Sequence, residues 1–161
     1  MSLLRKLLGL LVLVAATTAF ASAPVKPFTT ESYAAILAAH RGQPLVVAFW
    51  SLDCAHCPGS LAILARFARA HPKVSVVLVA TDTGVDPAAL ASHVRQAALA
   101  QAEQWVFADP LPERLRLSID SRWWGELPRS YLIAADGTRS AHSGVLDAGQ
   151  LAQWLSAQRQ P

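Results

Sequence analysis

Two stretches of the chain, "PLVVAFW" at residues 44–50 and "VSVVLVA" at residues 74–80, are almost continuously apolar and rich in β-branched and aromatic residues. Such runs suit strands covered on both faces, because a half-wet strand would alternate. Around them the apolar positions recur at helical spacing instead. Tyr33, Ile36 and Leu37 predict a helix through "ESYAAILAAH", with Thr29 or Thr30 as its cap and "RGQP" as its stop. Leu61, Leu64, Ala65 and Ala68 predict a second helix up to "AHP". "DPAALASHVRQAALAQAE" predicts a third, with Asp86 as cap and Pro87 at its first position. "WVFA" reads as a short strand, "LPERLRLSI" as a short helix and "SRWWGELP" as a loop. "RSYLIAADGTRSAHSG" predicts a hairpin about Asp136-Gly137, a pair suited to the positive φ of a tight turn. A last helix, "LDAGQLAQWLSAQ", turns Leu146, Leu151, Trp154 and Leu155 inward. The predicted order is α, β, α, β, α, β, short α, β, β, α. It describes an α/β fold with a mixed central sheet, parallel at its start, and helices on both faces.

Composition changes this picture only at the N-terminus. The 161 residues are 53% hydrophobic and 16% charged, and part of the apolar excess lies in "MSLLRKLLGLLVLVAATTAFASA". Arg5 and Lys6, an apolar run at 7–16 and the small residues Ala19 and Ala21 have the layout of a secretory signal peptide. Cleavage is expected between Ala21 and Ser22, giving a signal peptide at 1–21 and one domain at 22–161. The alternative is an uncleaved anchor, and membrane contact is expected only through it. Loss of Arg5 and Lys6 leaves 12 basic against 11 acidic residues. That balance, without a Lys/Arg cluster, gives no footprint for nucleic acid. Export, here to the periplasm, would place the cysteines where disulfides persist.

Those cysteines, Cys54 and Cys57 in "FWSLDCAHCPGS", are the only two in the chain. A thiol at the end of a buried strand, opening a helix, meets backbone N–H groups and a helix dipole that favour negative charge. The C-x-x-C spacing lets the second thiol reach back and resolve a mixed disulfide formed by the first. Cys54 is then the exposed attacker and Cys57 the buried resolver. Metal binding and a structural disulfide are the competing readings. Haem attachment needs His directly after the second cysteine, where Pro58 stands. Zinc needs further ligands, and His40, His71, His93 and His142 lack ligand spacing. A structural bridge over so short a loop would constrain the unfolded chain little.

"VVAFWSLDCAHC", followed far downstream by "LPRSYLIAADG", resembles the thioredoxin superfamily, specifically the exported TlpA/ResA-like thiol-disulfide oxidoreductases. The resemblance runs from about residue 29 to residue 155. It implies a thioredoxin-like fold and thiol-disulfide exchange with no diffusible cofactor. Protein thiols or disulfides would be the substrates, and a membrane-bound electron donor or acceptor the partner. It also implies a cis Leu127-Pro128 peptide facing the cysteines, whose backbone pairs with an extended substrate segment. Two acids of the wider family are missing: Ala48 and Ser60 stand at their positions. Asp53 replaces a tryptophan before the first cysteine. His56, directly before Cys57, is shared with oxidising members such as DsbA.

Asp53 and His56 are thus the expected redox-tuning residues, with opposite effects on a Cys54 thiolate. The family name favours a reductase; His56 and the missing acids favour an oxidase or isomerase. A rival of another class is a non-enzymatic chaperone-like or copper-binding protein with Cys54, Cys57 and His56 as ligands. Of the neighbouring aromatics, Trp124 or Trp123 either lines a substrate groove beside Cys54 or fills a gap in the core. Trp50 reads as core or as a platform under the motif, and Arg129 as a solvated side chain or rim charge. No nucleophile elbow or glycine-rich phosphate loop is present.

Overall fold

In the computed structural model, which describes residues 23–158, the two continuous apolar runs lie side by side at the centre of one sheet. In chain order the elements are β1 (Val25–Phe28), α1 (Ser32–Ala39), β2 (Leu45–Trp50), α2 (Cys57–Ala70), β3 (Ser75–Ala80) and α3 (Pro87–Gln96). They continue with β4 (Glu103–Phe107), α4 (Pro112–Ile119), β5 (Arg129–Ile133), β6 (Arg139–Ser143) and α5 (Ala148–Ala157). The sheet order is β1-β4-β3-β2-β5-β6. The first four of these are mutually parallel, β5 pairs antiparallel with β2, and β6 pairs antiparallel with β5. The fold is the expected mixed α/β sheet. The predicted signal peptide lies outside the described residues, and none of the described helices is long and apolar enough to cross a membrane.

All six residues of β2 are buried, and its alternation splits them between two cores. Val46, Ala48 and Trp50 pack with Leu61 and Leu64 of α2 and with Leu151 and Leu155 of α5. Leu45, Val47 and Phe49 pack with Tyr33 and Ile36 of α1 and with Leu115 and Ile119 of α4. Each fully buried side chain of this size contributes about 1.5–3 kcal/mol relative to exposure. Asp86 and Asp147 cap α3 and α5, the latter in a reciprocal capping box with Gln150.

Three local expectations are corrected, and the expected hairpin is found. β1 is an additional strand: Pro27 weakens the strand signal, yet an edge strand tolerates it, and Phe28 stacks on Phe107 at 5.4 Å. Helix α3 ends at Gln96 rather than running on to Glu103. The chain reverses through Ala98 (φ 61°), Leu99 is buried, and Glu103 begins β4. Helix propensity in the alanine-rich tail yields there to sheet pairing. Neither Thr29 nor Thr30 is the cap of α1. Glu31 occupies that position without a side-chain cap bond, while Ser32 Oγ accepts from the Thr29 N–H at 2.8 Å. The hairpin of β5 and β6 closes by a loop over residues 134–138, with Gly137 at φ 90° and the Asp136 carboxylate accepting from the Thr138 N–H.

Candidate active site

Strand β2 ends with the Trp50 carbonyl accepting from the Thr81 N–H at 2.8 Å, which ties it to the chain leaving β3. Parallel neighbours bring their C-terminal loops together at one edge, so the residue after Thr81 reaches the cysteine motif. There the Asp82 carboxylate accepts from the Leu52 N–H (3.1 and 3.3 Å to its two oxygens) and from the Ser51 hydroxyl (3.1 Å). Ser51 Oγ in turn accepts from the Asp53 N–H at 3.2 Å, and the Ser51 carbonyl from the Cys54 N–H at 3.3 Å. Residues 51–56 are therefore a braced turn. Asp82 was not among the residues singled out from sequence, and its only sequence signal is a place just past a parallel strand.

Cys54 and Cys57 are joined in a disulfide, S–S 2.10 Å with Cα–Cα 5.3 Å. Cys57 has no exposed surface, whereas Cys54 is half-buried against the α2 side of the core. Cys57, rather than Cys54, is the first residue of α2; Cys54 sits one turn ahead, its carbonyl accepting from the Cys57 N–H at 3.1 Å. The first turn of α2 carries no acidic residue, and its N-cap, His56, makes no side-chain cap bond. The positive end of the helix is left for a thiolate. Asp53 and His56 are both exposed and do not pair with each other. Ala48 and Ser60 are buried on the Cys57 side, and Ala48 lies opposite Ser130, whose hydroxyl is fully buried without a protein partner. Trp50, 2% exposed, is core and stacks on His93 with ring centres 5.2 Å apart.

The Leu127-Pro128 peptide is cis. It immediately precedes β5, and the pairing of Phe49 with Arg129 sets it at the end of the sheet where β2 gives way to the cysteine turn. The Pro128 carbonyl already accepts from the Gly144 N–H at 2.8 Å. Proline has no N–H, so the free backbone edge narrows to Leu127, whose N–H and C=O have no backbone partner among the described residues. Leu127 packs against both cores, touching the cluster that also receives Cys54. The two tryptophans of the preceding loop separate cleanly. Trp123 is buried on Phe49, ring centres 4.8 Å apart, and donates its indole N–H to the Glu126 carbonyl at 3.0 Å. Trp124 is 89% exposed.

Arg129 is not the solvated side chain expected from sequence. It is buried and donates to Asp120 (3.3 Å), Glu126 (3.0 Å) and Ser143, with its guanidinium over the Tyr131 ring. Asp120 also accepts from the Arg122 N–H and side chain and from the Tyr131 hydroxyl. Burial pushes the Asp120 carboxyl up, but the hydrogen bonds and charge of Arg122, with the charge of Arg129, outweigh it and hold it below its ordinary range. For Glu126, burial is likewise overcome, by hydrogen bonds from Ser143 and the backbone and by Arg129. This network pins both ends of the loop that carries Trp123, Trp124 and Leu127. Sequence reasoning missed it because nothing in "IDSRWWGELPR" says which charges fold inward.

No family model matches the chain, and no curated protein matches it. Solved structures do. A secreted Mycobacterium tuberculosis disulfide oxidoreductase homologous to E. coli DsbE is similar over 74% of this chain and 85% of its own, with 25% identity and a TM-score of 0.61. A DsbF homologue from Corynebacterium diphtheriae aligns over 75% of each chain at 14% identity and a TM-score of 0.62. StoA from Bacillus subtilis aligns over 71% of this chain and 84% of its own, at 22% identity and a TM-score of 0.52. The latter two share the fold. The fold is thioredoxin-like, and with its C-x-x-C disulfide at the end of the central strand the chain is a thiol-disulfide oxidoreductase. Within that class its similarity is to the secreted homologue of DsbE.

Proposed function

We propose that the protein is exported to the periplasm, its leader removed between Ala21 and Ser22, and that it reduces disulfides in other proteins. The observation that carries the chemistry is the asymmetry of the cysteine pair: Cys54 is partly exposed, whereas Cys57 has no exposed surface. In the reduced protein, the Cys54 thiolate attacks a substrate disulfide; a Cys54–substrate S–S bond forms, and the departing substrate thiolate takes a proton. Cys57, losing its proton, attacks Cys54 Sγ. The Cys54–Cys57 bond forms, the mixed disulfide breaks, and the second substrate thiol leaves. The substrate has gained two electrons and the protein has lost them. A dithiol donor restores the pair by the reverse exchange, and a membrane-bound donor fits an exported reductant. The dithiol itself carries the electrons, so the reading calls for no cofactor.

Leu127 supplies the N–H and C=O on which an extended substrate segment pairs beside Cys54, with Pro128 holding its direction. Trp124 is the apolar anchor at the rim. Asp53 and His56 tune the couple in opposite senses. An oxidase reading is favoured by one specific feature, the exposed His56 at the N-cap of α2, whose protonated ring would stabilise a thiolate. The export and substrate readings draw support from the secreted mycobacterial relative.

Cys57→Ser tests the chemistry. It should trap Cys54 in mixed disulfides with client proteins, visible as thiol-labile adducts in the exported fraction. Absence of adducts, with the variant folded and Cys54 free to alkylate, would overturn the reading. Adducts formed when the free Cys54 thiol meets disulfide-bonded clients, displacing a client thiol, would mark a reductase; adducts formed when Cys54 capped as a glutathione mixed disulfide meets client thiols, releasing glutathione, would mark an oxidase.

A further inference from the structure

We infer that Asp82 is the positioning residue for Cys54 and that its charge keeps the Cys54–Cys57 couple reducing. The inference rests on the exchange reading above and deepens it, by naming what sets the direction. Its ground is geometric. The carboxylate binds the Leu52 N–H through both oxygens and the Ser51 hydroxyl through one, and Ser51 passes the constraint to the N–H of Asp53. The turn that presents Cys54 therefore hangs on a side chain from the neighbouring strand's loop. Two residues of chain reach at most about 7 Å, so the carboxylate stands within roughly 10 Å of the Cys54 backbone.

The sulfur lies at most about 3 Å beyond the Cys54 backbone, so a unit charge on Asp82 still acts on it at low salt, where the screening length at ~0.01 M is about 30 Å. In the oxidised state the charge faces a neutral disulfide. Reduction by glutathione converts the disulfide and two glutathiones into a Cys54 thiolate, a Cys57 thiol, one glutathione disulfide and one released proton. The fixed carboxylate then faces a like charge. It disfavours the reduced protein and makes that protein a stronger electron donor. Asp53 adds a second negative charge at the same turn; its backbone N–H is held by Ser51 but its side chain is exposed. The acids missing at Ala48 and Ser60 lie on the Cys57 side of the motif; Asp82 acts on the Cys54 side.

Asp82→Asn separates the two roles, because its one amide oxygen can still accept from the Leu52 N–H and the Ser51 hydroxyl, while the second, longer Leu52 contact and the charge are gone. The mature protein and the variant are equilibrated with glutathione buffers at neutral pH, and the reduced fraction is counted by thiol alkylation and mass. We expect the variant's equilibrium to move toward the reduced protein by about threefold to tenfold at low salt, about 15 to 30 mV for this two-electron couple. In 1 M salt the difference should shrink below about twofold, the screening length having fallen to about 3 Å. Asp82→Ser, with a hydroxyl acceptor, gives the same sign should Asp82→Asn fold poorly. Equal constants for variant and wild type at low salt, a shift toward the disulfide, or a shift that ignores salt would each overturn the inference. A wild-type pair that does not equilibrate with glutathione at all would instead overturn the exchange reading, and this inference with it.

Discussion

Replacing Arg129 by methionine keeps most of the side chain's volume and removes its guanidinium from a buried ion pair. The Arg129 side chain is 10% exposed and that of Asp120 is 5% exposed. Stripping one partner from such a pair costs about 3–5 kcal/mol, because the other charge stays buried. Here the loss is smaller, since Asp120 retains the Arg122 N–H, the Arg122 side chain and the Tyr131 hydroxyl. Glu126, 42% exposed at its side chain, adds under about 1 kcal/mol. About 2–3 kcal/mol is expected, or a Tm lower by roughly 8–10 °C for a domain of this size. Urea unfolding of Arg129→Met, Asp120→Asn and the double variant would give a coupling energy of about 1.5–3 kcal/mol. The pH dependence has a definite sign. The Asp120 and Glu126 carboxyls are held below their ordinary range in the folded state. The stability they confer is full above the unfolded carboxyl pKa of about 4 and is lost as pH falls through the lower folded values. The gap between wild type and Arg129→Met should therefore close in acid. A loss under 1 kcal/mol at neutral pH, or a gap unchanged in acid, would refute the assignment.

The tryptophan pair gives a contrast within one loop: Trp123→Ala should cost about 3–5 kcal/mol, while Trp124→Ala should cost less than about 0.5 kcal/mol. Trp124→Ala should slow reduction of a protein disulfide and leave a small-molecule disulfide unaffected; equal effects on both would remove Trp124 from substrate binding. Tyr33 and Tyr131 are the only tyrosines, and burial pushes both phenols up, Tyr131 to about 12. A raised phenol stabilises the fold fully below the unfolded value near pH 10 and loses that contribution as pH rises toward the folded value. Absorbance at 295 nm should consequently show no step near pH 10 while the protein is folded, and should rise with unfolding; a one-tyrosine step in the folded protein would contradict the packing.

The elements that could be read from sequence are those with a sustained apolar pattern or a clear turn or cap signal. β2 and β3 announce themselves by unbroken apolar runs, α3 by Asp86 and Pro87, α5 by its helical spacing of leucines, and β5 and β6 by the Asp136-Gly137 turn. β1 could not be read in that way, because Pro27 and three incompletely buried positions leave almost no pattern. The far end of α3 was misread because alanines suit a helix, while the decision lay with Leu99 and with the partners of β4. At the site, the cysteine spacing was legible, and so was the loop ending in Pro128. Asp82 and the Arg129–Asp120 pair were not, since a surface-type residue that turns inward does so for partners distant in sequence.

The register of β2 against β5 has a consequence beyond geometry. Phe49 pairs with Arg129, and the cysteine turn leaves from one residue past Phe49 while Leu127 and Pro128 lie just before Arg129. A slip of one position would exchange the two cores, because the strand's side chains alternate between them. The same slip would shift Leu127 and Pro128 relative to the cysteine turn. The proposed substrate edge at Leu127 thus depends on the native register of the sheet: a misregistered chain would keep the Cys54–Cys57 spacing, which is local to one turn, but would lose its core packing and that edge together.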